Sequence, residues 1–586
     1  MPAATATDLS RVTFIVLREM RRPIITLIVV YAISVLGMVL IPGPKIDGET
    51  QYMSIFHAFY FMTYTATTTG FGEIPFTFSN GQRLWAIICL YVSVITWFYA
   101  IGSIVQLLQN PFFVRALAEW RFSRSVNRIV EDFYIICGFG DTGSVLTRGL
   151  SESGMSAVII DADEERIKAL QLRNYSMHVP GLCADASIPR HLLEAGLQKG
   201  NCKAVVAITN NEEVNLKISA LARLLNPQVD IITMSKVEVF EETLATLGGE
   251  VHIVDPFKTF AKVLAASMLH PGFYTLNKWL VGEKGATLDQ FVRLPKGQWI
   301  ICGYGRMGHE VNYVLAKNNI RTAVIDPHEN KDEKYVDRYI VGRSTARTLT
   351  RAGIKEAVGI LAGTDDDGHN LGILLNARTL NPGLFSIVRQ NRHINEVAFN
   401  TAQFDMIMQP SLVIARRILF LLIAPLLKPF FQHLLENKPG RAEEMDLVID
   451  RLRGTVGSSK PHLVTIVFNE ENSKAVMRSL KEGRRVVLGD LLKNPDDRDR
   501  SLDLVVFVVK SGERIHVLPD ADYEIRAGDQ LLYCGTVLAK RLFNATLNNE
   551  YKLHYVQTGV FLPRSYVAQW YRNRFSRIDI EATGKK

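Results

Sequence analysis

Two long apolar runs stand near the start of the chain, at Ile24–Ile41 and Leu84–Leu108, and neither contains a charge. At 18 and 25 residues, each is long enough to cross a hydrocarbon layer about 30 Å thick. No small-residue cleavage site follows the first run, so it reads as a span rather than a signal peptide, with Pro23 at its entry. Between them Tyr52–Tyr64 is apolar and aromatic but too short to cross. Beyond residue 130 the pattern changes. Short apolar runs at Ile135–Cys137, Ala157–Ile160, Ala204–Thr209 and Ile231–Met234 are separated by amphipathic stretches such as Glu164–Leu172 and Asn215–Leu225. This alternation predicts a parallel, doubly wound sheet.

The same pattern then repeats. Phe133–Gly140 matches Gln298–Gly305, Asp161 matches Asp326, Thr209 matches Thr364, and Asn226-Pro227 matches Asn381-Pro382. The offset drifts from 165 to 155, as a few loop deletions would make it, so the soluble part is an internal duplication. From Leu463 to Val537 the pattern turns to short strands with turn signals. The run Ile414–Phe431 is apolar enough to suggest a third span. It is short, broken by Pro425 and flanked by Arg416, Arg417 and Lys428, so a buried interface helix is expected, with Phe257–Leu269 as its counterpart.

Composition agrees with a small membrane part on a large soluble one. The 586 residues are 47% hydrophobic and 22% charged, which excludes a disordered or polytopic chain, and the length implies about four units. The net charge is +8. Arg18, Arg21 and Arg22 precede the first span, and Arg115, Arg121, Arg124 and Arg128 follow the second. The positive-inside rule therefore predicts cytoplasmic termini and a cytosolic soluble part. The charge makes no case for nucleic acid. Cys89, Cys137, Cys183, Cys302 and Cys534 fall in apolar runs or beside glycine and are expected to be buried, while Cys202 fits neither pattern clearly. None has CxxC or zinc-ligand spacing, which suits a reducing compartment.

Three constellations carry candidate chemistry. The first is Thr67-Thr68-Thr69-Gly70-Phe71-Gly72-Glu73, after the short aromatic helix. Extended backbone at membrane depth is tolerable where it lines a hydrated path, and alternating glycines let successive carbonyls point inward to replace an ion's water shell. The second is a pair of glycine turns, Gly138-x-Gly140-x-x-Gly143 and Gly303-x-Gly305-x-x-Gly308. Each follows an apolar strand and opens a helix, and a strand-end acid, Asp161 or Asp326, lies 23 residues after the first glycine. Glycines admit a phosphate, the helix start with Asp141 and Thr142 offers N–H groups, and the acid accepts from ribose hydroxyls without a 2′-phosphate. Asp185 faces Arg343 across the copies, and Arg306 inside the second turn is placed to meet a phosphate. The third is Asp365-Asp366-Asp367, a divalent-cation candidate for which a capped helix start is the commoner meaning.

Thr68-Thr69-Gly70-Phe71-Gly72 resembles the TVGYG signature of potassium channels, with Thr for Val, Phe for Tyr and Glu73 for the usual Asp. The resemblance implies potassium in the filter, one filter strand per chain and hence a homotetramer. The family's hinge glycine falls near Ser93, with a glycine only at Gly102; Val94, Phe98, Ile101 and Val105 share one helical face, as a dewetting gate or as packing. The two copies, through their glycine turns, strand-end acids, Ala184-Asp185-Ala186 and the Thr209 and Thr364 segments, resemble RCK (regulator of potassium conductance) domains. The whole is similar to prokaryotic two-transmembrane, ligand-gated potassium channels with tandem RCK domains, of the GsuK type. That implies an α-helical pore domain, two α/β Rossmann-like domains and a small α+β lobe. It also implies an eight-domain cytoplasmic ring under an inner-membrane pore, biased by NAD, adenine nucleotides and sometimes calcium. On this resemblance the pore domain is 1–110, with a pore helix at about 52–66 and a filter at 68–72; a linker follows at 111–128. The RCK domains are 129–292 and 293–440, the lobe 441–560 and a basic tail 561–586. A membrane-anchored NAD-dependent oxidoreductase is the main alternative, yet no His–Asp or Tyr–Lys pair accompanies the glycine turns and no second catalytic domain is left over, so no enzyme is expected. A regulatory subunit of a potassium uptake system is the other.

Overall fold

Serines start the helices that shape the membrane part. Ser54 caps α2 (Ile55–Ala66) by accepting from the His57 N–H, and Ser79 with Gln82 forms a capping box at the head of α3 (Asn80–Gln109). The computed structural model describes residues 3–46, 49–235, 242–243, 246, 251–280, 286–289, 291–329, 335–435, 441–457 and 462–561; the basic tail from Arg564 lies outside them. The first span belongs to α1 (Ala3–Leu40), a 38-residue helix about 57 Å long. Pro23 is therefore inside a helix and not at its entry: it removes the bond to the carbonyl four residues back and crowds that carbonyl, yet the helix runs through. α1 and α3 pack side by side, and α2 leans on both through Met38, Met53, Ala58, Met62 and Cys89. Gly37 sits so close to Trp85 that a side chain there would strike the ring, and the Trp85 Nε1 donates to the Ser34 carbonyl at 3.1 Å. Elsewhere both spans expose their apolar surface, from Ile24, Ile28 and Leu36 to Leu84, Ile95 and Leu108.

α4 (Pro111–Asn127) follows α3 with only Asn110 between them, capped by the Asn110 side chain. The first soluble domain runs β1 (Phe133–Cys137), α5 (Asp141–Glu152), β2 (Ser156–Asp161), α6 (Glu164–Leu172), β3 (Gly181–Cys183), α7 (Pro189–Glu194), β4 (Cys202–Ala207), α8 (Glu212–Leu225), β5 (Asp230–Met234) and β6 (Val251–Val254). Its sheet has the order β3-β2-β1-β4-β5-β6, with every pair parallel. β1 is buried along its whole length, as a strand covered on both faces must be. Helices α9 (Pro256–Leu269) and α10 (Gly272–Leu280) follow.

The second domain repeats this with β7 (Trp299–Cys302), α11 (Arg306–Lys317), β8 (Thr322–Asp326), β9 (Arg338–Val341), α12 (Ala346–Arg351), β10 (Gly359–Ala362), α13 (Asp367–Leu380), β11 (Phe385–Arg389) and β12 (Met406–Met408). The order is again parallel, β9-β8-β7-β10-β11-β12. Helices α14 (Pro410–Ile423) and α15 (Leu427–Leu434) meet at a 111° bend, so this segment is no straight third span. α14 buries Ile414, Ala415 and Ile418 in the first domain's core beside Tyr134, Leu146 and Leu150. Reciprocally, α9 buries Phe257, Phe260 and Leu264 in the second domain's core beside Trp299, Met307 and Val311. Each domain thus covers the other's glycine-turn helix.

The lobe opens with α16 (Arg441–Thr455) and carries an antiparallel sheet of β13 (His462–Val467), β14 (Leu504–Ser511), β15 (Arg514–Val517) and β16 (Gln530–Gly535), ordered β13-β16-β14-β15. One face shares a core with α10, α15 and α16 through Phe507, Trp279, Phe430 and Ile449. The other packs on α17 (Lys474–Lys481), α18 (Val537–Asn548) and α19 (Glu550–Thr558). Five cysteines are buried, Cys202 among them, but Cys183 is exposed, contrary to the expectation from its apolar neighbours. β3 is an edge strand of three residues, and although Cys183 still pairs with Asp161, its side chain faces outward at the sheet's edge.

Candidate functional site

After α2 the chain turns back through Thr67–Glu73. Backbone φ is positive at Thr68 (60°), Gly70 (64°) and Gly72 (72°), and at neither Thr69 nor Phe71. Alternating left-handed and right-handed residues flip successive peptide planes so that their carbonyls face one side. Two glycines take that conformation freely; Thr68 does so at a cost of about 1–3 kcal/mol, which neighbouring bonds must hold. They are present: the Tyr64 carbonyl accepts from the N–H groups of Thr69 and Gly70 at 2.9 and 3.3 Å, and Thr67 and Thr69 join hydroxyls at 2.9 Å. At the far end, Tyr64 donates its hydroxyl to the Glu73 carbonyl at 2.9 Å and Tyr60 donates to the Glu73 carboxylate at 3.2 Å. The two tyrosines, one turn apart on α2, brace the end of this segment and were passed over by sequence reasoning; their i, i+4 spacing was the available signal. Val94, Phe98, Ile101 and Val105 lie along α3, and Ile101, Val105 and especially Phe98 are well exposed in the single chain, while Ser93, at the hinge position, is buried and donates to the Leu90 carbonyl.

The two glycine turns have one geometry. Gly138 and Gly303 have φ of 109° and 91°, and a side chain on Gly143 or Gly308 would strike the carbonyl of the turn's own first glycine. Those positions are fixed by the protein's packing. The middle glycines differ: a Cβ on Gly140 meets nothing closer than the Arg166 guanidinium at 3.8 Å, and one on Gly305 meets nothing within 4 Å. The space over them is open, and it lies at the starts of α5 and α11, where the first N–H groups have no helical partner.

Both strand-end acids tie the turn to the next loop. Asp161, 6% exposed, accepts from the N–H groups of Phe139 at 2.5 Å and Asp163 at 2.8 Å. Asp326 accepts from those of Tyr304 at 2.6 Å and His328 at 2.8 Å. Both Asp326 oxygens, and the Asp161 oxygen that takes the Asp163 N–H, retain a lone pair for a further donor, whereas the other Asp161 oxygen is shared by Phe139 and Arg166. Arg166, on α6, reaches Asp161 at 3.4 Å and stands over Gly140; it borders the open space over the first turn and was not among the expected residues. Nor were Asn215 and Asn370. Each is fully buried, accepts from the Thr209 or Thr364 N–H and hydroxyl, and donates to the next strand's last carbonyl. Their shared offset with the two threonines was the signal.

The remaining expected residues divide. Asp185 is exposed and accepts from the Ser187 N–H, holding the loop before α7. Asp141 is exposed in the first turn of α5, with Thr142 half-buried beside it. Arg343 is exposed after β9. Arg306 opens α11 with its guanidinium 5.1 Å from the Phe257 ring centre, and Arg389 lies 4.9 Å from the same ring, so an aromatic from the first domain's α9 carries two cations of the second. Burial pulls the Arg389 pKa down, and Arg306 adds to this while Asp365 and Asp367 oppose it.

The acidic run does not converge. Asp366 caps α13 by accepting from the His369 N–H. Asp367 accepts from the N–H groups of Asn391 and Arg392 and from the side chains of Asn391 and Asn395. Burial alone would raise its pKa, but these bonds outweigh it and hold the carboxyl below its ordinary value. Among the described residues no group of three His, Cys, Asp or Glu is placed to hold a metal ion. Cys183, beside the first site, has its thiol pushed up by burial and by Glu164, and burial lifts Cys202 and Cys302 to about 12, so none is primed as a nucleophile.

The linker is a packed helix. α4 buries Phe122 and Val126 in the first domain's core beside Phe133. Glu119 on α4 pairs with Arg190 on α7 at 2.6 Å, and Arg190 also holds Glu194 at 2.5 Å. Ser125 shares a 2.7 Å hydrogen bond with His178, and Lys199 donates to the Val126 and Ile129 carbonyls. The loop carrying Asp185 thus leads through α7 directly to the helix that continues α3.

Comparison with known proteins assigns these parts. The ion channel family matches residues 24–110, and the TrkA-N domain family matches residues 134–255 and 299–410. The chain is 26% identical over 247 residues to "Probable potassium channel protein 2" of Methanocaldococcus jannaschii, covering 42% of this chain and 66% of that protein. It is 25% identical over 219 residues to "Potassium channel protein 1" of the same organism, covering 37% and 63%. The chain spans just under two thirds of the length of these relatives. Among solved structures, "GsuK channel bound to NAD" superposes with a TM-score of 0.45 at 17% identity, covering 92% of this chain and 99% of that one.

Proposed function

We propose that this chain, which joins one ion-channel domain to two TrkA-N domains of Rossmann fold, is the subunit of a potassium-selective channel opened and closed by nucleotides. The observation that carries the reading is the alternation of positive φ at Thr68, Gly70 and Gly72 between two spans. A backbone wound this way offers a row of carbonyl oxygens, and one chain supplies one side of such a pore. Four chains close it, so the assembly is a homotetramer in the inner membrane, with cytoplasmic termini and eight soluble domains in a ring below. The open space over Gly140 and Gly305, next to unpaired N–H groups and a strand-end acid, suits the phosphates and ribose of NAD or an adenine nucleotide. The ligand biases the ring only through unequal affinity for its open and closed shapes. Asn110 and α4 then carry the bias to α3. In this role the glycine turns bind and do not catalyse.

The test is potassium flux from liposomes holding this chain alone. Gly70→Val requires a β-branched residue at φ 64°, a conformation β-branched side chains all but exclude. Flux should vanish while the tetramer survives; selective flux that persists would refute the filter.

A further inference from the structure

Where α1 leaves the apolar layer, a groove of about 940 Å³ runs between α1 and Tyr99 of α3. Its α1 wall is one helical stripe, Phe14, Leu17, Arg18, Arg21, Arg22, Ile25 and Thr26, at i, i+3, i+4 spacing. The stripe changes character along its length. Three guanidiniums occupy one turn, Ile25 and Thr26 lead from them into the apolar span, and Phe14 and Leu17 continue on the other side.

Among the described residues little neutralises those cations. Arg18 reaches Glu19 at 3.7 Å, with 73% of its side chain exposed. Among the described residues Arg21 and Arg22 pair with no acid, and the groove wall contains none. Three cations on one turn, only Arg18 with an acid in reach, repel each other, and they stand at the depth where lipid phosphates lie. Exposed Phe14 and Leu17 suit the same boundary, where apolar groups meet headgroups, while exposed Tyr99 lies inside the second apolar run.

We infer that this groove binds an anionic phospholipid of the cytosolic leaflet, its phosphate on Arg18, Arg21 and Arg22 and an acyl chain along Ile25 and Tyr99. The charge of the wall selects an anionic headgroup, and the apolar continuation selects a lipid over a free phosphate. A lipid there bridges the two spans, touching α3 about three turns before it hands over to α4.

The inference rests on the proposed orientation, with this end of α1 at the cytosolic leaflet. Its test does not use flux, so the two readings fail separately. The full chain in neutral detergent is titrated with phosphatidylglycerol, phosphatidylcholine or inorganic phosphate, and the midpoint of thermal unfolding is followed. Phosphatidylglycerol alone should raise the midpoint saturably. Arg21→Gln should weaken that response about fivefold, and Arg21→Gln with Arg22→Gln roughly thirtyfold, with the lipid-free midpoint unchanged. An equal rise with phosphatidylcholine would reduce the groove to a greasy surface, and an equal rise with phosphate would make it a plain anion site; either overturns the inference. So does a double variant that keeps the wild-type response. Should the double variant fail to fold, Arg18→Gln and the three wild-type titrations decide the question alone.

Discussion

A valine at position 138 would have to hold φ at 109° with its Cβ 2.9 Å from the Ile208 carbonyl oxygen, whereas at position 140 the nearest protein atom is 3.8 Å away. The fold excludes the first substitution and tolerates the second, so Gly140→Val isolates the ligand's claim on the space. We expect it, like Asp161→Ala, to weaken nucleotide control of the channel at least tenfold without altering ion selectivity. Gly140→Val should also keep the thermal midpoint, a combination that calorimetry and single-channel recording would check; unchanged nucleotide dependence in both variants would place the site elsewhere. Asp367 makes a different claim. Its hydrogen bonds hold the folded carboxyl below its unfolded pKa. Its stabilisation is therefore fully present above the unfolded value of about 4 and is lost as pH falls through the folded one. Asp367→Asn should cost about 2 kcal/mol near neutrality and much less in acid. A midpoint difference that stays constant down to about pH 3 would contradict this.

At the scale of elements, α4 and α7 join the membrane part to the first soluble domain. The Glu119–Arg190 pair is partly buried, with side chains 27% and 38% exposed, and is worth about 1 kcal/mol. Glu119→Arg should leave nucleotide binding intact but reduce the nucleotide-driven shift in open-to-closed ratio about fivefold. Glu119→Gln, which removes the pair without adding a charge, should give a smaller loss in the same direction; a Glu119→Arg variant that keeps the full wild-type shift would remove the pair from the coupling path. Some of this was legible beforehand. The spans, the duplication and α6 follow from local periodicity, which needs only neighbours in sequence. The joint did not, because Glu119 and Arg190 are 71 residues apart and nothing local marks either as a partner. Pro23 misled for a related reason: propensity favours proline at a helix start, but the apolar packing of α1 carried the helix past it. Cys183 misled because an apolar neighbourhood does not say which strand forms the sheet edge.

For the molecule as a whole, the exchange of α9 and α14 places part of each domain's core in the other, so we expect the two to unfold together. Ile418, from the second copy, is fully buried in the first. Ile418→Ala should cost about 3 kcal/mol and accelerate amide exchange in α5, with the soluble part still melting in a single calorimetric transition. Two resolved transitions would show the domains to be independent. The sequence revealed both copies and the apolar helix after each, since those are repeats of a pattern. It did not reveal that the helices cross over, because either helix would satisfy the same apolar face in its own domain. The exchange also sets an order of events at the ribosome. α5 is complete at residue 152, but its cover begins only at residue 410. At ordinary translation speeds, on the order of 5–20 residues per second, the nascent first domain waits tens of seconds with that apolar flank bare. Its native state is a property of the finished chain, and until then the growing polypeptide depends on whatever shields it.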